Sequence, residues 1–319
     1  MRRLRRPREA LDAGWRLRRR LRIRRRGRRA YIRSVYSLPS LATLGNAICG
    51  FASMYVSTLD WRTDSVTRDP WTLFFVHHSF FAAAYLIFAA MIFDAVDGRL
   101  ARFARHTTDF GGQLDSLADA VSFGAAPAFL SIQLFHWYHA DLASPVIARF
   151  IWATGALYMS CALIRLARFN VSNEHGEQHH FSFLGLPSPG AAAVVAAFVL
   201  MQQDLAEHEA VRSTVAALAE GCVWILPLVV LATGLLMVSA IRYPHLVNRY
   251  LRGRRSIARL LLVLIGLLLL VVAHRYTLSI GSLAYAAWGP VGWIGYRLRQ
   301  RRLKLAGAGN DFPRSTPNP

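Results

Sequence analysis

The chain has 319 residues, 54% of them hydrophobic, and a mean hydropathy of +0.28, a balance that sets aside an ordinary soluble domain as the first reading. Charge is lopsided: 38 basic residues against 18 acidic ones give a formal net charge of +20, with Lys304 the only lysine. The three cysteines, Cys49, Cys161 and Cys222, lie far apart in apolar surroundings. They show no metal-ligand spacing, and their odd number argues against a disulfide framework, so they read as small helix residues.

In chain order, residues 1–34 form an arginine-dense arm from Arg2 to Arg33, broken by Leu11, Trp15, Leu21 and Ile23. No uninterrupted apolar core follows before Tyr31, which is unlike a secretory signal. Such an arm can bind nucleic acid. Placed just before a hydrophobic span, it reads instead as lying on anionic headgroups of the cytoplasmic leaflet and orienting the first helix, with membrane lipids as partners and no nucleic acid. Apolar runs of membrane-crossing length, about 20 residues, are expected at Leu38–Leu59, Leu73–Phe93, Ala118–Tyr138, Val146–Leu166, Leu186–Gln202, Gly221–Ile241, Ile257–Ala273 and Leu278–Tyr296. The fifth is short and alanine-rich, which suits close helix packing. Arg99, Arg102, Arg105, Arg168, Arg242, Arg249, Arg252, Arg254, Arg255 and Arg297 to Lys304 all fall on one side of this arrangement. That is the positive-inside pattern for eight spans with both termini cytoplasmic. The expected fold is therefore an all-α integral membrane protein of about eight transmembrane helices. Its expected divisions are an arm over 1–34, a six-span core over 35–242, two further spans over 243–300 and a tail over 301–319. After Gly307 the tail carries Pro313, Pro317 and Pro319 and reads as disordered.

The chemistry concentrates where the second and third spans meet. Asp94 and Asp97 are three apart and share a helix face; Asp115 and Asp119 are four apart and share another. A turn near His106 to Asp109 makes the two helices antiparallel neighbours, so both pairs converge. Four carboxylates at a membrane boundary need a counter-charge, and hard cations such as Mg²⁺ or Mn²⁺ suit all-oxygen ligation. Two ions bridged by shared carboxylates would suit phosphoryl-type transfer. Gly98 leaves room for a nucleotide or pyrophosphate beside the backbone, and Arg102, one turn on, is placed to pair with phosphate. Thr108 adds a hydroxyl, and Gly111 permits close packing. A helix end whose acids merely pair with Arg99, Arg102 and Arg105 explains two aspartates but not four in facing pairs.

From Asp94 to Asp119 the residues read D-x2-D-G-x2-A-R-x8-G-x3-D-x3-D. This pattern resembles the signature of the CDP-alcohol phosphatidyltransferase family. Further segments resemble its membrane-embedded phosphatidylserine synthase branch: Leu38 to Phe51, Gln113 to Gly124, Arg165 to Asn170 and Phe183 to Pro189. The likeness spans roughly 31–300, and Ser40 departs from the family's usual asparagine. The resemblance implies that an alcohol attacks the diacylglycerol-linked phosphorus of CDP-diacylglycerol and CMP leaves. It implies that Asp94, Asp97, Asp115 and Asp119 are metal ligands and that Asp119 also takes the alcohol's proton. It places Gly98, Arg102, Thr108, Gly111, Ser40, Thr43 and Asn46 on the donor side. L-Serine as acceptor and a homodimer in a bacterial inner membrane, with the site facing the cytoplasm, are likewise expectations from this likeness.

A serine carboxylate needs a cationic partner, for which Arg165 and Arg168 are candidates, with Asn170 as a hydrogen-bonding neighbour. Glycerol-3-phosphate is the alternative acceptor. His179 and His180 read as a solvated loop, His77 and His78 lie far from the acids, and Pro187 and Pro189 shape a helix start. A cation transporter would place its acids near mid-membrane, often in two repeated halves. Here the four cluster at one end, and residues 186–300 contain no second copy.

Overall fold

The computed structural model describes residues 40–59, 78–104, 109–140, 144–174, 182–207, 213–244 and 257–305. The arginine arm, His77, the turn from His106 to Thr108, His179, His180 and the tail beyond Gly307 lie outside the described residues. Helix α1 covers 40–57. It is followed by α2 (Ser79–Ala104), α3 (Asp109–Asp119), a π-helical segment (Ala120–Ala125), α4 (Ala126–His139) and α5 (Pro145–Glu174). Then come α6 (Ser188–Glu207), α7 (Ser213–Val238), α8 (Ile257–Val272) and α9 (His274–Leu305).

Among the described residues, five stretches are long and apolar enough to cross a membrane: Ser79–Leu100, Phe110–His139, Pro145–Val171, Ser188–Glu207 and Thr214–Val238. They coincide with the second to sixth expected spans, and the chain is a membrane protein that is helical in nearly all of its described residues. The first, seventh and eighth expected spans fall on α1, α8 and α9, which are shorter or more polar over the described residues. Around the acids the helices overrun the apolar runs. The second ends at Ala104 rather than Phe93, and the third span starts at Asp109 rather than Ala118. Hydropathy reports where lipid contact ends, whereas these helices continue through polar residues that face one another.

Helix α6 is central and packs against α2, α7 and α9. Its Ala191, Ala192, Ala196 and Ala197 are fully buried beside Val194, Val195, Val199 and Leu200. Small side chains let neighbouring backbones come close, which is how helices associate where lipid removes the hydrophobic drive between them. The outward residues are apolar instead: Trp152, Leu163 and Ile164 on α5, and Leu268, Val271 and Val272 on α8.

The all-helical expectation missed one small ribbon. Strands β1 (Ser182–Leu184) and β2 (Arg242–Pro244) pair antiparallel, with Phe183 opposite Tyr243. Gly185 follows β1 at φ +84°, where an added Cβ would stand 2.2 Å from the Met237 carbonyl oxygen. Only glycine fits there. Gly185 N–H donates to the Ile241 carbonyl at 2.8 Å and Leu186 N–H to that of Leu236 at 2.9 Å. These bonds tie the start of α6 to the end of α7, so residues 182–186 and 236–244 share one end of the bundle. Pro187 precedes α6 and Pro189 sits in its first turn, where a missing N–H costs nothing.

Helix α9 is held at both ends of α6. Near the ribbon, the buried Tyr243 hydroxyl donates to the Ala286 carbonyl at 2.9 Å. Burial, aided by the neighbouring Tyr285, pushes the Tyr243 phenol up to about 12, which keeps it a donor. At the far end Arg275 pairs with Asp204 and with Glu207, and the Tyr276 hydroxyl donates to Asp204. The Arg275 guanidinium also lies 4.3 Å from the ring centre of Phe81 on α2.

Candidate active site

Helix spacing puts Asp94 and Asp97 one turn apart on α2, and Asp115 and Asp119 one turn apart on α3. Carboxylate oxygens of Asp94, Asp97 and Asp115 lie within 4.8 Å of one another. Asp119 is within electrostatic range of all three. Asp97 is buried and the others are half-buried.

Helix α1 braces this cluster through two buried residues. The Thr43 hydroxyl hydrogen-bonds the Asp97 carboxylate. Asn46 Nδ2 donates to Asp119 Oδ1 at 3.0 Å. Two further contacts set the height of α1 against the third span. Ser122 Oγ donates to the Asn46 carbonyl at 2.8 Å, and a Cβ added to Gly50 would stand 2.6 Å from Ser122 Cα. Ser122 belongs to the π-helical segment that opens directly after Asp119. Widening of this kind offsets backbone carbonyls and recurs at functional sites. Here the Tyr158 hydroxyl of α5 donates to the Phe123 carbonyl at 3.1 Å.

The donor set can be tested against a metal ion on its own chemistry. Asp97 Oδ2 and Asp115 Oδ1 are buried and have no hydrogen-bond partner. Orphaned carboxylate oxygens among like charges are costly unless a cation joins them. An all-oxygen set of this kind suits a hard divalent ion. The residues present fit such an ion, and Asp94, Asp97 and Asp115 can hold one.

The structure brings together most of the residues singled out from the sequence. Gly98 is exposed on α2, with no atom within 4 Å of where a Cβ would stand. Ser40 opens α1, and Gly111 lies half-buried in the first turn of α3. Thr108 and the side chain of Arg102 lie outside the described residues. From α5, Arg165 Nη1 donates to Ser188 Oγ at 2.8 Å, and its guanidinium is within electrostatic range of Asp119. Arg168 is exposed on the same helix. Asn170 hydrogen-bonds Ser116 Oγ at 2.9 Å, linking α5 to the α3 turn between Asp115 and Asp119. His78 lies 3.6 Å from Glu207, away from the aspartates. The three cysteines are free. Ser116, Ser122 and Ser188 lie within the motif segments Gln113 to Gly124 and Phe183 to Pro189, but a serine carries no charge pattern that would mark its role in the sequence.

The sequence profile of the CDP-alcohol phosphatidyltransferase family matches residues 36–231, the stretch that holds all four aspartates. The chain is 30% identical over 263 residues to a CDP-diacylglycerol–serine O-phosphatidyltransferase of Helicobacter pylori, covering 82% of this chain and 93% of that one. It is 30% identical over 209 residues to a protein of the same name from Methanocaldococcus jannaschii, covering 66% and 83% respectively. An archaetidylserine synthase of Methanothermobacter thermautotrophicus is 30% identical over 217 residues, 67% of this chain and 72% of its own. With the aspartate spacing intact, the carboxylates gathered on two helices and a match over most of the chain, this protein belongs to the CDP-alcohol phosphatidyltransferase family.

Proposed function

We propose that this chain transfers the phosphatidyl group of CDP-diacylglycerol to L-serine, giving phosphatidylserine and CMP. The observation that carries the reading is the convergence of Asp94, Asp97 and Asp115 within 4.8 Å, with Asp119 beside them. The serine-specific names of the similar proteins favour serine over glycerol-3-phosphate as acceptor.

In this reading Asp94, Asp97, Asp115 and Asp119 hold two divalent ions, Mg²⁺ or Mn²⁺. Bound there, such ions neutralise pyrophosphate charge and polarise the phosphorus–oxygen bonds. The open flank at Gly98, with Arg102, Thr108 and Gly111, receives the CDP group, and Ser40, Thr43 and Asn46 line its α1 side. Asp119 accepts the proton of the serine hydroxyl as that oxygen bonds to phosphorus. The bond from phosphorus to the CMP phosphate oxygen breaks, and CMP departs. Arg165 and Arg168, with Asn170, hold the serine carboxylate. Asn46 keeps Asp119 oriented, and most of the rate comes from such positioning and charge neutralisation.

We place the site at the cytoplasmic face of a bacterial inner membrane, on the strength of the arginine distribution, with both termini on that side. The core is assigned to 35–242, the helix pair 243–300 is read as an addition to it, and the unit is read as a homodimer. Purified protein with CDP-diacylglycerol, Mn²⁺ and labelled serine should release CMP in step with serine. Release that needs glycerol-3-phosphate and ignores serine would overturn the acceptor.

A further inference from the structure

The family match ends at residue 231, and α9, far beyond it, carries a groove for which the reaction has no use. The second half of this helix stands clear of the bundle, with Val291 to Gln300 exposed at every position. The open groove beside it has a volume of about 600 Å³, in the range of sites that hold a ligand. One wall is the Ala240–Ile241 connector between α7 and β2. The rest comes from one face of α9. Gly289 and Gly292 make the floor, and Trp288, Trp293 and Tyr296 stand around it.

The two glycines act differently. A Cβ at Gly289 would meet Tyr243 Cζ at 2.4 Å, so this glycine lets the ribbon's tyrosine seat against α9. At Gly292 nothing lies within 4 Å of where a Cβ would stand, so the floor there is open space rather than packed core. Aromatic and aliphatic walls over bare backbone suit an acyl chain. A polar solute would lose its water there without gaining partners.

One end of the groove is polar. The Arg297 guanidinium lies over the Trp293 ring, 4.2 Å from its centre. Gln300 Nε2 donates to the Tyr296 hydroxyl at 3.1 Å. Among the described residues no carboxylate pairs with Arg297. Sequence supplies the reason: from Gly221 to Asn310 the chain has no acidic residue, while Arg297, Arg299, Arg301, Arg302 and Lys304 crowd the end of α9. The anion that complements this end therefore comes from outside the segment. Tryptophan and tyrosine followed by arginine is the order in which a helix leaves hydrocarbon for the headgroup layer, where lipid phosphate is at hand.

We propose that this groove is an accessory binding site for an anionic glycerophospholipid of the bilayer, with an acyl chain along Gly289 and Gly292 and the phosphate on Arg297. The inference does not depend on which alcohol the enzyme uses.

The test places the full-length protein in phosphatidylcholine vesicles and adds phosphatidylglycerol carrying dibrominated acyl chains, whose bromine quenches tryptophan on contact. Dibrominated phosphatidylcholine is the reference. Wild-type tryptophan fluorescence should be quenched at lower concentrations by the phosphatidylglycerol. Arg297→Gln should cut that preference about fivefold, the effect of one arginine at an anionic surface. Gly292→Leu fills the floor and should bring quenching by phosphatidylglycerol down to the reference. If Gly292→Leu melts early, the exposed Arg297→Gln decides alone. Equal quenching by both lipids in the wild type, or a preference untouched by Arg297→Gln, overturns the proposal. Relief of the quenching by CDP-diacylglycerol makes the groove part of the donor site and overturns it as well. So does a wild type that resists quenching and a Gly292→Leu variant that changes oligomeric state, since a second copy would then cover this face.

Discussion

Gly50 offers a sharp test of how Asp119, the proposed proton acceptor, is held. An alanine Cβ there would stand 2.5 Å from Ser122 Oγ and 2.6 Å from Ser122 Cα, where ordinary contact begins near 3.4 Å. The hydroxyl can rotate away, but the Cα is backbone, so α1 and the π-helical segment must part by about 0.8 Å (3.4 less 2.6). Overpacking of this kind costs about 1–3 kcal/mol. Asn46 sits one turn earlier on α1 and would follow the movement, stretching its 3.0 Å bond to Asp119 beyond hydrogen-bond reach. A hydrogen bond to a charged group contributes about 1.5–3 kcal/mol, which as lost transition-state stabilisation is roughly a 10- to 100-fold fall in kcat/KM. The variant should melt earlier in detergent and release CMP far more slowly. Gly45→Ala is the control. Its Cβ first meets the Phe93 ring, at 2.9 Å, and that side chain, 40% exposed, can swing aside. Wild-type melting and activity in Gly50→Ala would refute the account of α1 as the brace for Asp119.

Further outcomes follow from the same geometry. Gly98→Ala meets no atom within 4 Å, so its melting should not change, whereas KM for CDP-diacylglycerol should rise about tenfold if the donor approaches that backbone. Asp97→Asn should stabilise the chelated protein, because three carboxylates within 4.8 Å repel one another, by on the order of 1–3 kcal/mol. With Mn²⁺ present the same change should abolish turnover and weaken the metal-dependent rise in melting temperature. Arg275→Met removes the guanidinium that pairs with the buried Asp204 and with Glu207, and should lower stability by about 3 kcal/mol in a melting assay.

Much of the site was legible in sequence because helical periodicity and charge are both local. Spacings of three and four residues place Asp94 with Asp97 and Asp115 with Asp119 on helix faces whatever else the chain does. The membrane class and five of the spans followed from apolar length alone. What stayed hidden depends on contacts between distant segments. Nothing around Asn46 announces a bond to Asp119, 73 positions away. Nothing near Arg275 points to Asp204, 71 positions earlier. The π-helical segment after Asp119 leaves no mark in hydropathy, since Val121, Phe123 and Ala125 are as apolar as ordinary helix would be. The ribbon escaped because three-residue strands are too short for an alternating pattern. Gly185, within the Phe183–Pro189 segment, was its one local trace.

The most direct test of the central claim compares wild-type protein with Asp119→Asn in detergent, supplying CDP-diacylglycerol, Mn²⁺ and either serine or glycerol-3-phosphate. Binding of the donor should be measured alongside. The account predicts CMP release that depends on serine, stops on chelation and is lost in Asp119→Asn. No CMP release with either acceptor, together with unchanged donor binding in the variant, would contradict the assignment of the four aspartates as the reaction centre.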